Sequence, residues 1–66
     1  MHIRINGTIE SVATASTIDE LVTARRLAPD KIVIEHNHRI VTKEEWSVTP
    51  LSENDRIEII SFVGGG

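Results

Sequence analysis

The sequence contains no cysteine. That excludes a disulfide framework and a thiol nucleophile, and leaves an apolar core as the only source of stability. It also suits a reducing compartment, so a cytoplasmic location is expected. No apolar run approaches the ~20 residues of a membrane span. The opening MHIRING is not followed by the apolar stretch of a secretory leader. Positive charge is sparse: seven Lys and Arg stand against ten Asp and Glu, for a formal charge of −3. Arg25-Arg26 is the only adjacent basic pair, whereas a nucleic-acid binder would cluster its bases on one face. Neither nucleic acid nor membrane is expected as a partner. The acidic balance suits a protein that meets other proteins.

The chain has 66 residues, enough for one compact domain. A chain this short buries only about 60% of the surface its unfolded form exposes, so its margin of stability is small. HIRINGTIESV alternates around Asn6-Gly7, a pair that accepts the positive φ angles of a hairpin turn. The alternation predicts a hairpin with Ile3, Ile5 and Ile9 facing inward. In TIDELVTARRL, Thr17 and Glu20 have capping-box spacing, and Ile18, Leu21, Val22 and Leu27 share a helical face. Arg25 and Arg26 are expected in the last helical turn, complementing the helix dipole, with Pro29 as the stop.

KIVIEHNHRIV divides into two short strands around the turn His36-Asn37-His38-Arg39. The run Ile32-Val33-Ile34 predicts a strand covered on both faces. Thr42 and Glu45 repeat the capping-box spacing and predict a helical turn ending near Trp46. Ser52-Glu53-Asn54-Asp55 is turn chemistry, after which residues 56–63 read as a strand. Ile57 and Ile59 share one face of it, Ile60 and Phe62 the other.

This order of elements describes an α+β fold. A mixed sheet of four to five strands carries one main helix on one face, plus a short helical turn. The first and last strands are neighbours in it, placing the chain end at the sheet edge. Residues 1–63 form one domain and 64–66 a glycine tail. Three final glycines bury nothing and fix no shape, so such a tail is better explained by its terminal carboxylate.

The arrangement resembles the β-grasp, or ubiquitin-like, fold. Its length, INGTIE, IVTKEEW and the end ISFVGGG resemble the ThiS family of sulfur carriers in thiamine biosynthesis. The resemblance covers the whole chain, and its most specific part is the terminal Gly-Gly. The family needs two glycines; Gly64 adds a third and lengthens the tether. The resemblance implies a carrier that is not itself an enzyme and binds no cofactor. An E1-like adenylating enzyme (ThiF-type) uses ATP to activate the Gly66 carboxylate, and a sulfur donor protein converts it to a thiocarboxylate. The product passes sulfur to a thiazole synthase (ThiG-type). Gly64 and Gly65 form the slender tail.

The chemistry agrees with that implication. A free α-carboxylate has a pKa of about 3.5, so it is anionic and a poor electrophile until adenylated. Water must be excluded around an acyl-adenylate. Val63 to Gly66 spans about 13–14 Å when extended, enough to enter a closed site. Glycine, lacking Cβ, passes a narrow channel. Ile60 and Phe62, with Val63 and Glu58, are the candidate docking residues, and Arg56 a lesser one. The other reading of Ile60 and Phe62 is packing beneath the Trp46 segment.

Other constellations are thin. His36 and His38, with His2 elsewhere, lack a definite third metal ligand. Glu44-Glu45 caps a turn, and Trp46 serves as a packing anchor. Gly64–Gly66 follows a strand and opens no helix, unlike a phosphate loop. Remaining alternatives are a MoaD-type carrier for molybdopterin synthesis, a ubiquitin-like modifier of lysines, and a binding module with an inert tail.

Overall fold

The computed structural model describes residues 1–62. Expectations resting on Val63, Gly64, Gly65 and Gly66 lie outside the described residues. Strands β1 (His2–Ile5) and β2 (Thr8–Ser11) form the first hairpin, followed by helix α1 (Ile18–Ala24). Strands β3 (Ile32–His36) and β4 (Arg39–Val41) form a second hairpin, and β5 (Arg56–Ser61) closes the described chain. Short 3₁₀ turns occupy Pro29–Lys31 and Lys43–Val48.

The five strands form one sheet in the order β2-β1-β5-β3-β4. β1 and β5 run parallel and the other neighbouring pairs antiparallel. The first and last strands are therefore adjacent, as expected. The expected exit at a sheet edge is corrected, because β3 pairs along the other side of β5 and makes it the middle strand. The core gathers Ile3 and Ile5, the helical Ile18, Leu21 and Val22, then Ile32, Ile34, Trp46, Leu51 and Ile57. All lie between the sheet and the segments that cover one of its faces.

Turn chemistry explains both hairpins. Asn6 and Gly7 adopt φ of 49° and 85°, the two positive angles of a type I′ turn. With two turn residues, Ile5 pairs with Thr8 and Arg4 with Ile9. Paired residues share a face, so Ile9 lies beside Arg4 on the open face and is 61% exposed. Its expected inward placement is thus corrected. Asn37 and His38 make the second turn with φ of 49° and 71°.

The helix starts as expected. Glu20 N–H donates to Thr17 Oγ1 (3.2 Å), and Thr17 N–H donates back to the Glu20 carboxylate (2.8 Å). Its end differs from expectation. Arg26 turns left-handed at φ 55°, Arg26 N–H donates to Thr23 O, and Leu27 N–H donates to Val22 O. This is a Schellman closure, which usually places glycine where Arg26 stands. The helix stops before Pro29, which opens a 3₁₀ turn instead. Arg25 is the C-cap and ion-pairs with Glu10 at 2.7 Å, so neither arginine lies in the last turn. Leu27 still packs on the core from just beyond the helix.

In β3, Ile32 and Ile34 are buried while Val33 is half-buried. The strand is covered on one face only, which corrects the two-face expectation. The 42–48 segment begins as read, with the Glu45 carboxylate accepting from the Thr42 N–H and hydroxyl, both at 2.9 Å. These bonds hold the Glu45 carboxyl below its ordinary pKa. Trp46 is buried, and its ring N–H donates to Val41 O at 3.2 Å. Among the described residues, no helix is long and apolar enough to cross a membrane.

Candidate functional site

Strand β5 carries the candidate site, and polar groups fasten its start. Asp55, just before the strand, is 9% exposed. Its carboxylate lies 2.8 Å from His36 Nε2 and accepts from Asn37 Nδ2 (3.1 Å) and Ser52 N–H (2.8 Å). Burial pushes the Asp55 carboxyl up, but these hydrogen bonds outweigh it and hold it below the usual range. Asn37 also accepts from the Arg56 N–H (2.9 Å) through its side chain. The second hairpin's turn is thereby tied to the start of β5.

The first hairpin's turn does the same further along. Backbone pairing of β1 with β5 ends at Ile5–Ile57. Beyond it, the Asn6 side chain takes the place of a strand, accepting from Ile59 N–H (2.7 Å) and donating to Ile59 O (3.3 Å). On its other side β5 pairs with β3 as far as Ser61, and Phe62 N–H donates to Lys31 O at 3.0 Å.

Alternation then divides the strand. Ile57 is fully buried, and Ile59 packs against the core from the same face. Glu58, Ile60 and Phe62 point to the uncovered face, where Ile60 and Phe62 are 49% and 51% exposed. Trp46 belongs to the core on the opposite side, so the packing alternative for Ile60 and Phe62 is not what the fold adopts. The open face also carries Arg4, Ile9, Val33, Glu35 and Ile40. Of these, Ile9 was expected inside and Val33 in a strand covered on both faces, while Arg4, Glu35 and Ile40 were assigned no role. Their parity follows once the register is known: Arg4 pairs with Arg56, Glu35 with Glu58 and Ile40, and Val33 with Ile60.

The three histidines do not converge. His36 binds Asp55, His38 Nε2 lies 3.2 Å from Arg56 Nη1, and His2 approaches Glu53 at 3.7 Å. No cluster of three His, Cys, Asp or Glu suited to a metal forms among the described residues. The His36–Asp55 pair is committed to tethering the 52–55 turn, which leaves it a structural role.

The β1-β2-α1-β3-β4-β5 order, with β5 between β1 and β3 and one helix across a single face, defines a β-grasp protein. A sequence model of the ThiS family matches residues 3–66. The chain belongs to the ThiS family. It is 38% identical over 50 residues to the sulfur carrier protein ThiS of Bacillus subtilis, covering 76% of each. It superposes on the crystal structure of the thiamine biosynthesis protein ThiS from Geobacter metallireducens with TM-score 0.86 and 28% identity, over 100% of both chains. It is also 32% identical over its full length to a thiazole synthase of Magnetococcus marinus, spanning 20% of that protein.

Proposed function

We propose that this chain carries sulfur on the carboxyl group of Gly66 for assembly of the thiamine thiazole. Residues 1–63 act as the recognition body and 64–66 as the tether. The family match through Gly66 is the observation that carries the reading. The carboxylate oxygen attacks the α-phosphorus of ATP in an E1-like enzyme of the ThiF type, and pyrophosphate leaves. Hydrosulfide released by a donor protein then attacks the carbonyl carbon; the new C–S bond forms as the C–O bond to AMP breaks, and AMP leaves. The resulting thiocarboxylate sulfur is the nucleophile delivered to a ThiG-type thiazole synthase. ATP and the bond-making groups belong to the partners, and the carrier works in the cytoplasm.

Two features support this division of labour. Ile60 and Phe62 present apolar surface on the strand that leads to the tail, where uncovered apolar side chains suit a protein contact. Glu58 adds charge beside it, and Val63, outside the described residues, completes the proposed docking set. Second, a protein named thiazole synthase holds a stretch similar to the whole of this chain, which favours such a synthase as the acceptor.

The test is mass spectrometry of the full chain after incubation with ATP, the cognate adenylating enzyme and a sulfur donor. Exchange of one Gly66 oxygen for sulfur is expected; an unchanged mass contradicts the proposal. Deletion should produce a thiamine requirement, whereas a molybdenum-cofactor defect would favour the MoaD-type alternative.

A further inference from the structure

Asparagine is thermolabile, because the backbone nitrogen that follows it can attack its side-chain carbonyl. Glycine in the next position leaves that nitrogen uncrowded. Asn6-Gly7 is such a pair, and both residues are exposed. The space around Gly7 is open, for a Cβ built there would meet nothing within 4 Å. The fold nevertheless engages the reacting group. Asn6 Oδ1 accepts from Ile59 N–H at 2.7 Å, and Asn6 Nδ2 donates to Ile59 O at 3.3 Å. A carboxamide has one accepting and one donating end, so it satisfies both. While these bonds hold, the side chain is committed to β5 and is not free to rotate onto the Gly7 nitrogen. Backbone pairing of β1 with β5 ends at Ile5–Ile57, so among the described residues Asn6 is what holds Ile59 on that side.

We propose that Asn6-Gly7 is a deamidation site gated by the end of β5: Asn6 reacts when Ile59 lets go, and the product cannot restore the grip. The Gly7 nitrogen attacks Asn6 Cγ. A C–N bond forms, the bond from Cγ to Nδ2 breaks, and ammonia leaves with the proton that Gly7 gives up. Water then adds to either carbonyl of the succinimide, one ring C–N bond breaks, and aspartate or isoaspartate results at position 6. The aspartate still accepts from Ile59 N–H. It has no hydrogen for Ile59 O, and above its ordinary pKa of about 3.9 it sets a negative charge against that carbonyl. Isoaspartate carries the side-chain methylene in the main chain, which lengthens the turn and disturbs the Ile5–Thr8 register. Either product loosens, irreversibly, the strand that leads into residues 63–66. Asn37 grips Arg56 N–H in a similar way, but it precedes His38, whose side chain crowds the attacking nitrogen. It serves as an internal control.

The full chain is incubated at mildly alkaline pH, folded and in denaturing urea, and exchange of –NH2 for –OH at each asparagine is read by peptide mapping with mass spectrometry. In urea Asn6 should react at least about ten-fold faster than Asn37 or Asn54, which precede residues with side chains. In the folded chain Asn6 should slow by at least about ten-fold, because only the opened fraction reacts. Folded and unfolded rates within about two-fold of each other overturn the inference. Ile59→Ala keeps the N–H but weakens the packing that seats it. Hydrogen exchange at residue 59 and deamidation at Asn6 should then quicken by the same factor, to within about two-fold. Faster exchange with an unchanged Asn6 rate places control in the turn alone and overturns the gate. Should this variant unfold, wild-type protein in urea below its unfolding transition takes its place, and the same parallel rise is required. Finally, Asn6→Asp should speed exchange of the Ile59 N–H by about three-fold or more while Ile57 is unchanged, as loss of one hydrogen bond requires. Unchanged exchange at Ile59 overturns the proposed effect on β5.

Discussion

The two ends of β5 are built from opposite materials. Its start is fastened by buried polar groups: Asp55, His36 and Asn37 tie a turn, a hairpin and the strand together. Its far end bears apolar Ile60 and Phe62, half open to solvent and paired with only one neighbouring strand. A fold seeking stability alone would reverse this placement, with polar groups in water and isoleucine inside. The start of the strand secures the fold, and its end is available for an encounter.

Stability measurements should separate the ends. The largest contrast is between alternate residues of one strand. Ile57→Ala empties the core and should cost about 2–5 kcal/mol, enough to unfold most of so small a domain. Ile60→Ser, on the open face, should change stability by no more than about 0.5 kcal/mol. Equal costs in denaturant titrations would erase the distinction.

Next is Asp55→Ala, which strands the Ser52 N–H and the Asn37 amide and should cost about 1–3 kcal/mol. The same carboxylate sets a pH signature. Its pKa is depressed in the folded protein, so its contribution is complete above the unfolded value of about 3.9 and disappears as pH falls through the lower folded value. Melting temperature should therefore drop below about pH 4, and less steeply in Asp55→Asn.

Asn6→Gly keeps the positive φ but removes the amide that pairs with Ile59. A loss of about 1 kcal/mol is expected, with faster hydrogen exchange at the Ile59 N–H. The smallest effect lies away from the strand. Arg26→Gly relieves a left-handed backbone and should stabilise by no more than about 1 kcal/mol.

Much of this was legible in local signals. Asn6-Gly7, Thr17 with Glu20 and Thr42 with Glu45 each state a short-range geometry, and each formed. The misplacements came where geometry depends on a count or on distant partners. Ile9 was set inward by alternation carried through the turn, although a two-residue turn pairs it with the outward Arg4. The helix end was hidden because Arg26 occupies a position usually marked by glycine. Asn6 and Asn37 looked like turn residues and nothing more. Their grip on β5 spans 53 and 19 residues of chain respectively, a distance no local pattern reports. On the open face, Ile60 and Phe62 were readable from parity within one strand. Arg4, Glu35 and Val33 needed the register.

The claim that the open end of β5 serves recognition is tested most directly by the affinity of an Ile60→Ser, Phe62→Ser double variant for the adenylating enzyme. Affinity should fall at least about ten-fold, the loss of a small apolar hot spot, while the melting temperature stays within a few degrees of wild type. Undiminished affinity, or unfolding of the variant, would contradict the account.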